Sequence, residues 1–242
     1  MIPAPAFLSN PERFMAFSRW AAPLFGAIAV ALALAGLWLA WSAPPDYQQG
    51  ATIRIMFIHV PAAWLAMFVY ICLAIASFLA LVFRHVLADA AAQAAAPLGA
   101  GFTLLALVTG SLWGRPMWGT WWVWDARLTS VLVLFLFYLA YIALRASLDD
   151  EAKAARASAI LALVGAVNLP IVHWSVDWWN SLHQGSSVLA KGGPAMPAVY
   201  LAPLLLMGLA YLGAFGSLWL VRIRGEVWRR RAETAALRAA RA

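Results

Sequence analysis

Charged side chains are scarce in this chain. Asp, Glu, Lys and Arg together make up 11% of its 242 residues, whereas hydrophobic residues make up 64%. Its mean hydropathy is +0.80. Because soluble domains carry about a quarter of their residues as charges, this composition excludes an ordinary soluble domain and indicates an integral membrane protein. We expect residues 1–242 to form a single membrane domain, since several spans of about 20 residues each leave only short loops.

The chain also has only one cysteine and contains none of the common nucleotide-binding and catalytic motifs. Cys72 is the one cysteine, so no intramolecular disulfide can form. The sequence contains no G-x-x-x-x-G-K-[ST], no G-x-G-x-x-G, no H-E-x-x-H and no G-x-S-x-G. We therefore expect no ATPase in this chain, and any chemistry has to be performed by its histidines or a bound cofactor. Any energy from nucleotide hydrolysis has to come from another subunit.

Apolar segments long enough for transmembrane helices are what the chain does contain. They lie at residues 20–41, 57–83, 97–113, 128–144, 157–174 and 199–221. A helix satisfies its own backbone hydrogen bonds in lipid, so the predicted fold is an all-α bundle of six transmembrane helices with short loops and interfacial helices on the outer side. Small residues in the third span predict close helix packing there. They are Gly99, Gly101, Thr103 and Gly110.

Basic residues are distributed unevenly between the two sides of this bundle. Of the 17 Lys and Arg residues, four lie in loops on one side, namely Arg54, Arg115, Arg127 and Lys191. The others lie on the opposite side, many of them in the basic tail 222–242. The positive-inside tendency therefore places both termini in the cytoplasm and loops 42–56, 114–127 and 175–198 outside. The positive charges match anionic lipid headgroups, and they form no basic stripe, so we expect membrane lipid and no nucleic acid as a partner.

Tryptophan is concentrated in one of these outer loops. The run W-G-T-W-W-V-W-D-A-R-L-T occupies residues 118–129. In helical spacing Trp118 and Trp122 share one face, and Trp121, Trp124, Asp125 and Leu128 share another. We therefore expect the motif loop 114–129 to lie flat on the membrane and offer its rings to a bound ligand. Several tryptophans together form a flat aromatic surface that suits a large flat ligand. The residues of this motif are Trp113, Trp118, Trp121, Trp122, Trp124 and Asp125, of which Asp125 also fits an N-cap of the fourth span.

Two of the four histidines belong to the same predicted side. His59 begins the second span within F-I-H-V-P, and His183 lies in the third outer loop. Neutral imidazole is a common ligand of haem iron, which accepts one ligand on each side of the porphyrin. Two histidines and one aromatic platform therefore suggest haem, although a structural role for His59 stays open. We expect His85 to anchor a cytoplasmic boundary and His173 to be structural.

The third outer loop adds aromatic residues, and three arginines stand on the poorly charged side. Trp178 and Trp179 precede His183, and the spacing of Trp179 and His183 predicts an interfacial helix that ends at Gly185. The guanidinium group of an arginine can bind a ligand carboxylate through two parallel hydrogen bonds. For Arg115 and Arg127, pairing with Asp125 or lipid phosphate is equally open. The candidates for contact with a haem propionate or a partner are Arg54, Arg115 and Arg127.

These motifs carry a family resemblance. The run at 118–129 resembles the WWD signature of haem-handling membrane proteins, and S-V-D-W-W-N-S-L-H-Q-G-S at 175–186 resembles the following loop of the CcmC family of cytochrome c maturation. The resemblance implies that His59 and His183 are the axial ligands of haem b at the periplasmic face of the bacterial inner membrane. That haem is non-covalent, since the chain has no C-x-x-C-H. The resemblance also implies a non-enzymatic subunit that presents haem to the chaperone CcmE and works with CcmA, CcmB and CcmD.

Other classes remain as alternatives. A WWD haem lyase, which joins haem to apocytochrome, is the nearest, although those relatives are longer. A haem-translocating permease is another. A membrane cytochrome b would place its ligands within facing helices, whereas His59 and His183 are both expected at one surface. A secondary transporter would carry ionisable residues near the bilayer midplane. The clearest polar residue within a span is Asn168 beside Pro170, which is typical of a kink with satisfied hydrogen bonds.

Overall fold

Helices account for nearly all of the regular structure in the computed structural model, which describes residues 10–183, 188 and 196–240. Six helical segments in this part are long and apolar enough to cross a membrane, and one of them, Glu151–Trp178, consists of two helices. The predicted six-helix membrane bundle is confirmed. The helices are α1 Pro11–Ser42, a short 3-10 helix Ala51–Ile55, α2 Met56–Phe83, α3 Val86–Trp118, α4 Ala126–Ser147, α5 Glu151–Gly165, α6 Asn168–Trp178 and α7 Ala198–Ala239.

Helix α3 is longer at both ends than the predicted span 97–113. Its first part is rich in alanine, the strongest helix former, and His85 caps it by accepting a hydrogen bond from the Ala88 amide at 3.2 Å. At the other end it continues to Trp118 and stops at Gly119, whose φ of 77° is the left-handed conformation that commonly terminates a helix. Helix α7 likewise runs past residue 221, so most of the basic tail is helical.

The predicted fifth span is broken into α5 and α6. Helix α5 ends at Gly165, and α6 begins at Asn168 after a turn. The Asn168 side chain donates a hydrogen bond to the backbone oxygen of Ser130 in α4 at 2.8 Å. The kink expected at this position is therefore present, and its polar side chain is satisfied. The break makes α6 a separate short element that packs against α4.

Close packing of α3 against its neighbours depends on Gly99. A Cβ atom at this position would lie 2.1 Å from the Tyr138 ring of α4, so only glycine fits. Tyr138 is fully buried and donates from its hydroxyl to the Ala66 oxygen of α2 at 2.8 Å. Thr103 is also buried. Gly101 has no neighbour within 4 Å of a Cβ position, so the predicted packing role was wrong there.

An ionic cluster fastens the end of the bundle where α3 begins. Asp89 of α3 binds Arg145 of α4 at 2.7 Å and Arg230 of α7 at 2.5 Å. The Arg145 side chain is only 7% exposed. Removing one partner from a pair this buried leaves an uncompensated charge, which is strongly destabilising. Three helices are thereby held together at the end of α3 far from the tryptophan motif.

Candidate haem-binding site

His59 lies in the first turn of α2 and faces the C-terminal part of α3. Its Nδ1 atom is 3.0 Å from the backbone oxygen of Ala106 and 3.1 Å from the Thr109 hydroxyl oxygen. Because a carbonyl can only accept, Nδ1 carries the proton and Nε2 keeps its lone pair. No hydrogen bond to Nε2 is formed by the residues that the structure describes. His59 is therefore held in the tautomer that a metal ligand requires.

The space for the His59 ring comes from Gly110. A Cβ atom at Gly110 would lie 2.8 Å from Cε1 of the imidazole, closer than real Cβ contacts allow. The Trp113 ring meets the same imidazole edge to face, with centroids 5.7 Å apart. Trp113 itself is fixed by donating from Nε1 to the Gln49 side chain at 3.0 Å. Residues on one face of α3 thus surround His59.

His183 is positioned by a carboxylate. Asp125 is the N-cap of α4, as predicted, and one of its oxygens accepts from the Leu128 amide at 2.7 Å. The other oxygen accepts from the Ser181 hydroxyl at 2.5 Å and lies 3.2 Å from Nδ1 of His183. Since an ionised carboxylate only accepts, Nδ1 of His183 is protonated, and its Nε2 forms no hydrogen bond with the residues that the structure describes. Trp118, the last residue of α3, packs edge to face on this imidazole at 4.8 Å.

The pKa shifts of Asp125 and His183 favour an ionised carboxylate beside a neutral imidazole. Burial acts to raise the pKa of Asp125, but hydrogen bonds from Ser181, the Leu128 amide and His183 outweigh it, so its pKa lies below the usual value. Burial lowers the pKa of His183, and the interaction with Asp125 only partly opposes this. At neutral pH the imidazole is therefore neutral and the carboxylate charged. Neutral imidazole is the form that binds metal.

Helix α3 brings the two histidines to the same end of the bundle. His59 contacts the part of α3 that ends at Trp113, and His183 contacts Trp118. Five residues of helix separate these tryptophans by about 7.5 Å along the axis. Both imidazoles and both indole rings thus lie near the same end of α3.

The tryptophan motif is not the interfacial helix expected over residues 114–129. Its first residues complete α3, residues 119–125 are not helical, and α4 starts at Ala126. Gly119 ends one helix, and Asp125 caps the next, which leaves too short a connection for a helix between them. The prediction that Trp118 and Trp122 share a helical face was wrong for this reason.

The remaining tryptophans of the motif form a second group. Trp122 and Trp124 pack edge to face with centroids 5.5 Å apart. Trp124 is 77% exposed, and Trp121 is 54% exposed. The indole nitrogen of Trp122 is buried without a hydrogen-bond partner in the described part of the chain. Together with α3 and α4, this group lines an open apolar groove formed by Leu104, Leu107, Trp122, Trp124, Leu132 and Phe135.

Two of the candidate arginines lie over tryptophan rings. The guanidinium of Arg54 lies 4.8 Å from the Trp41 ring centroid. Arg115 lies 5.9 Å from the Trp121 ring and also donates to the Gly119 oxygen at the end of its own helix. Neither forms an ion pair with a carboxylate among the described residues. Both guanidinium groups keep donors available for an anionic group.

Arg127 has a different role. Its Nε donates to the Ser175 hydroxyl at 2.9 Å, and its Nη2 donates to the His173 oxygen at 3.2 Å. Both acceptors belong to α6, so Arg127 ties α4 to the short helix that precedes His183. No ion pair between Arg127 or Arg115 and Asp125 occurs in the described residues, so the pairing considered from sequence is not observed.

The segment before His183 departs from the prediction as well. Helix α6 ends at Trp178, so Trp179 and His183 are not neighbours on a helix. Trp178 stacks on Trp174 at 5.7 Å and meets Trp179 edge to face at 5.8 Å. Both are about half exposed and form a separate aromatic cluster. The predicted stop at Gly185 and the outer Lys191 lie outside the described residues.

Several residues of the site were not predicted from the sequence. Ala106, Thr109 and Gly110 contact His59, and Ser181 shares the carboxylate with His183. Gly110 was expected only to allow helix packing. Thr109 and Gly110 are a hydroxyl residue and a glycine at adjacent positions of an apolar span, which indicates a close polar contact there. The sequence does not specify that the contacting group is a histidine.

The fold and the site define a multi-pass helical membrane protein with a paired-histidine, tryptophan-rich site at one end. The chain belongs to the CcmC family, described as heme exporter protein C, whose family model matches residues 5–238. The predicted resemblance is confirmed.

Curated relatives agree with the family assignment. The chain is 58% identical over 224 residues to heme exporter protein C of Bradyrhizobium diazoefficiens, covering 93% of this chain and 85% of the relative. It is 48% identical over 222 residues to heme exporter protein C of Escherichia coli, covering 91% and 89%. A putative cytochrome c biosynthesis ccmC-like mitochondrial protein of Marchantia polymorpha is 43% identical over 218 residues, covering 90% and 92%.

Proposed function

We propose that this chain binds haem b non-covalently between His59 and His183 at the periplasmic face of the bacterial inner membrane. The observation that carries the proposal is that the two imidazoles have the same hydrogen-bonding arrangement and the same tautomer. Each has Nδ1 hydrogen-bonded to an acceptor and an Nε2 without a hydrogen bond to the described residues, and both pack on tryptophans near the same end of α3. Haem iron takes one axial ligand from each side of the porphyrin, so two such nitrogens suffice to hold it.

The tryptophans of the motif fall into two groups with different proposed roles. Trp113 and Trp118 touch the two ligand histidines, so they hold the imidazoles and offer apolar surface beside the porphyrin. Trp121, Trp122 and Trp124 lie further along the motif, and the exposed rings of Trp121 and Trp124 suit contact with a porphyrin edge or a partner. Arg54 and Arg115 are the candidates for a propionate, because a guanidinium fork matches a carboxylate.

The function is transfer of this haem to the periplasmic chaperone CcmE during the maturation of c-type cytochromes. The relatives are named heme exporter proteins, and the sequence contains no nucleotide-binding motif. We therefore assign this chain a non-enzymatic role within a complex with CcmA, CcmB and CcmD, in which another subunit hydrolyses ATP. Both termini then lie in the cytoplasm.

The test is a transfer measurement. The full chain is co-expressed with CcmE and the other subunits, and covalent haem on CcmE is measured after denaturing electrophoresis. We expect none without this chain or with the combined changes His59→Ala and His183→Ala. Thioether haem on an apocytochrome in cells with this chain alone would instead support a lyase. Full loading of CcmE without this chain would refute the proposal.

A further inference from the structure

The two ligand histidines differ in the group that accepts their Nδ1 proton. His59 donates to a backbone carbonyl and a hydroxyl, both neutral. His183 donates to a carboxylate oxygen of Asp125, whose side chain is 9% exposed. The site therefore presents one ordinary imidazole and one that is hydrogen-bonded to a charge. This difference does not follow from the identity of the ligands, which are the same amino acid.

A carboxylate acceptor changes the ligand strength of an imidazole. Hydrogen bonds that involve an ionised group are roughly twice as strong as neutral ones. A proton held by a carboxylate leaves more electron density on the ring, which raises the basicity of its other nitrogen. Ferric iron, with one more positive charge than ferrous iron, gains more from this density. Burial strengthens the effect, because the interaction is poorly screened by water.

We infer that Asp125 is a positioning residue that makes His183 the stronger of two unequal ligands and biases the bound haem toward the ferric state. The inference rests on the proposed haem binding. Asp125 is suited to this because its other oxygen caps α4 through the Leu128 amide. That bond prevents the carboxylate from turning away from His183. One side chain thus fixes the start of a helix, the tautomer of a ligand and its donor strength.

Ser181 moderates the same bond. Its hydroxyl donates at 2.5 Å to the carboxylate oxygen that faces His183, so the two donors compete for one oxygen. With Ser181 removed, more of the charge is available to the imidazole. The change Ser181→Ala therefore shifts the ferric preference in the direction opposite to a change that removes the carboxylate.

The experiment is a redox titration of the purified full-length protein loaded with haem b, followed by its visible spectrum. The couple is the transfer of one electron from the titrant to Fe(III), which gives Fe(II). The main variant is Asp125→Ser, because serine remains a good N-cap but does not supply a charge. We expect the preference for ferric over ferrous haem to fall at least tenfold, an upward shift of about 59 mV for a one-electron couple.

Two controls separate this effect from others. Thr109→Val removes a neutral acceptor from His59 and keeps the side-chain shape, so we expect a smaller change in the ferric preference than in Asp125→Ser. Asp177→Asn removes an exposed charge of α6 that has no hydrogen bond to either histidine, and it should change the preference less than twofold. A similar upward shift in Asp177→Asn and Asp125→Ser would show a general charge effect and overturn the inference.

The outcomes also distinguish this inference from the haem-binding proposal. If the unmodified protein holds no six-coordinate haem, the proposed function fails. If it does, and Asp125→Ser keeps a six-coordinate spectrum with an unchanged potential, only the role of Asp125 is refuted. Loss of the six-coordinate spectrum in Asp125→Ser but not in Thr109→Val would support the positioning of His183 by Asp125.

Discussion

Arg127 of α4 and Ser175 of α6 are joined by a hydrogen bond of 2.9 Å between Nε and the hydroxyl oxygen. A second bond from Arg127 reaches the His173 oxygen. Because the chain is broken between α5 and α6, these bonds hold the helix that leads to His183. The arginine thereby holds the helix that precedes His183, whereas the sequence alone left a propionate contact and pairing with Asp125 or lipid phosphate equally open.

We predict that Arg127→Ala lowers haem affinity about tenfold, since a hydrogen bond from a charged group contributes about 1.5–3 kcal/mol. The measurement is haem titration of the purified apoprotein. Ser175→Ala should weaken binding less, and adding it to Arg127→Ala should have little further effect, because both changes remove the same bond. Haem whose propionates are esterified should show the same loss in Arg127→Ala. A loss confined to haem with free propionates would instead identify Arg127 as a propionate contact.

The second prediction concerns the space for His59. Gly110→Ala places a methyl group where the imidazole lies, so the ring must move and haem affinity should fall. Gly101→Ala is the matched control, since this glycine lies on the same helix with no neighbour within 4 Å. That control should leave binding unchanged and stabilise α3 by up to about 1 kcal/mol. Equal haem affinity in the two variants would refute the positioning of His59 by Gly110.

The third prediction separates the two groups of tryptophans. Trp118→Ala should reduce haem content, because this ring touches His183. The combined change Trp122→Ala and Trp124→Ala should reduce transfer to CcmE more than haem content, since it leaves both histidines in place. The two readouts are haem per purified protein and covalent haem on co-expressed CcmE. Full transfer by the double variant would mean that these two rings serve only as a membrane belt.

The fourth prediction tests the membrane orientation, which follows from the uneven distribution of basic residues. In a Cys72→Ala background, Tyr47→Cys and Thr120→Cys should react with a membrane-impermeant thiol reagent added to intact spheroplasts. Asp150→Cys and Glu233→Cys should react only after the membrane is opened. The reverse pattern would place the histidine site in the cytoplasm and contradict a periplasmic transfer.

Local signals explain which parts of the fold could be predicted. Hydropathy gave the six spans, and the Asp125 cap could be predicted because an acid precedes an apolar run. The prediction of a helix over the motif loop 114–129 was wrong because the helical pattern of the sequence continues through Gly119, whereas the backbone of Gly119 is left-handed. The partners of His59 lie 47 and 50 residues along the chain. Contacts at that separation depend on how α2 and α3 pack, which no local pattern specifies.

The absorption spectrum of the purified protein tests the paired-histidine site most directly. With two imidazoles on the iron, we predict a low-spin six-coordinate spectrum from haem that acid-acetone extracts. His59→Ala and His183→Ala should each alter the Soret band, whereas His85→Ala, which changes only the cap of α3, should leave it as it is. An unchanged Soret band in both His59→Ala and His183→Ala would contradict the assignment of these histidines as the haem ligands.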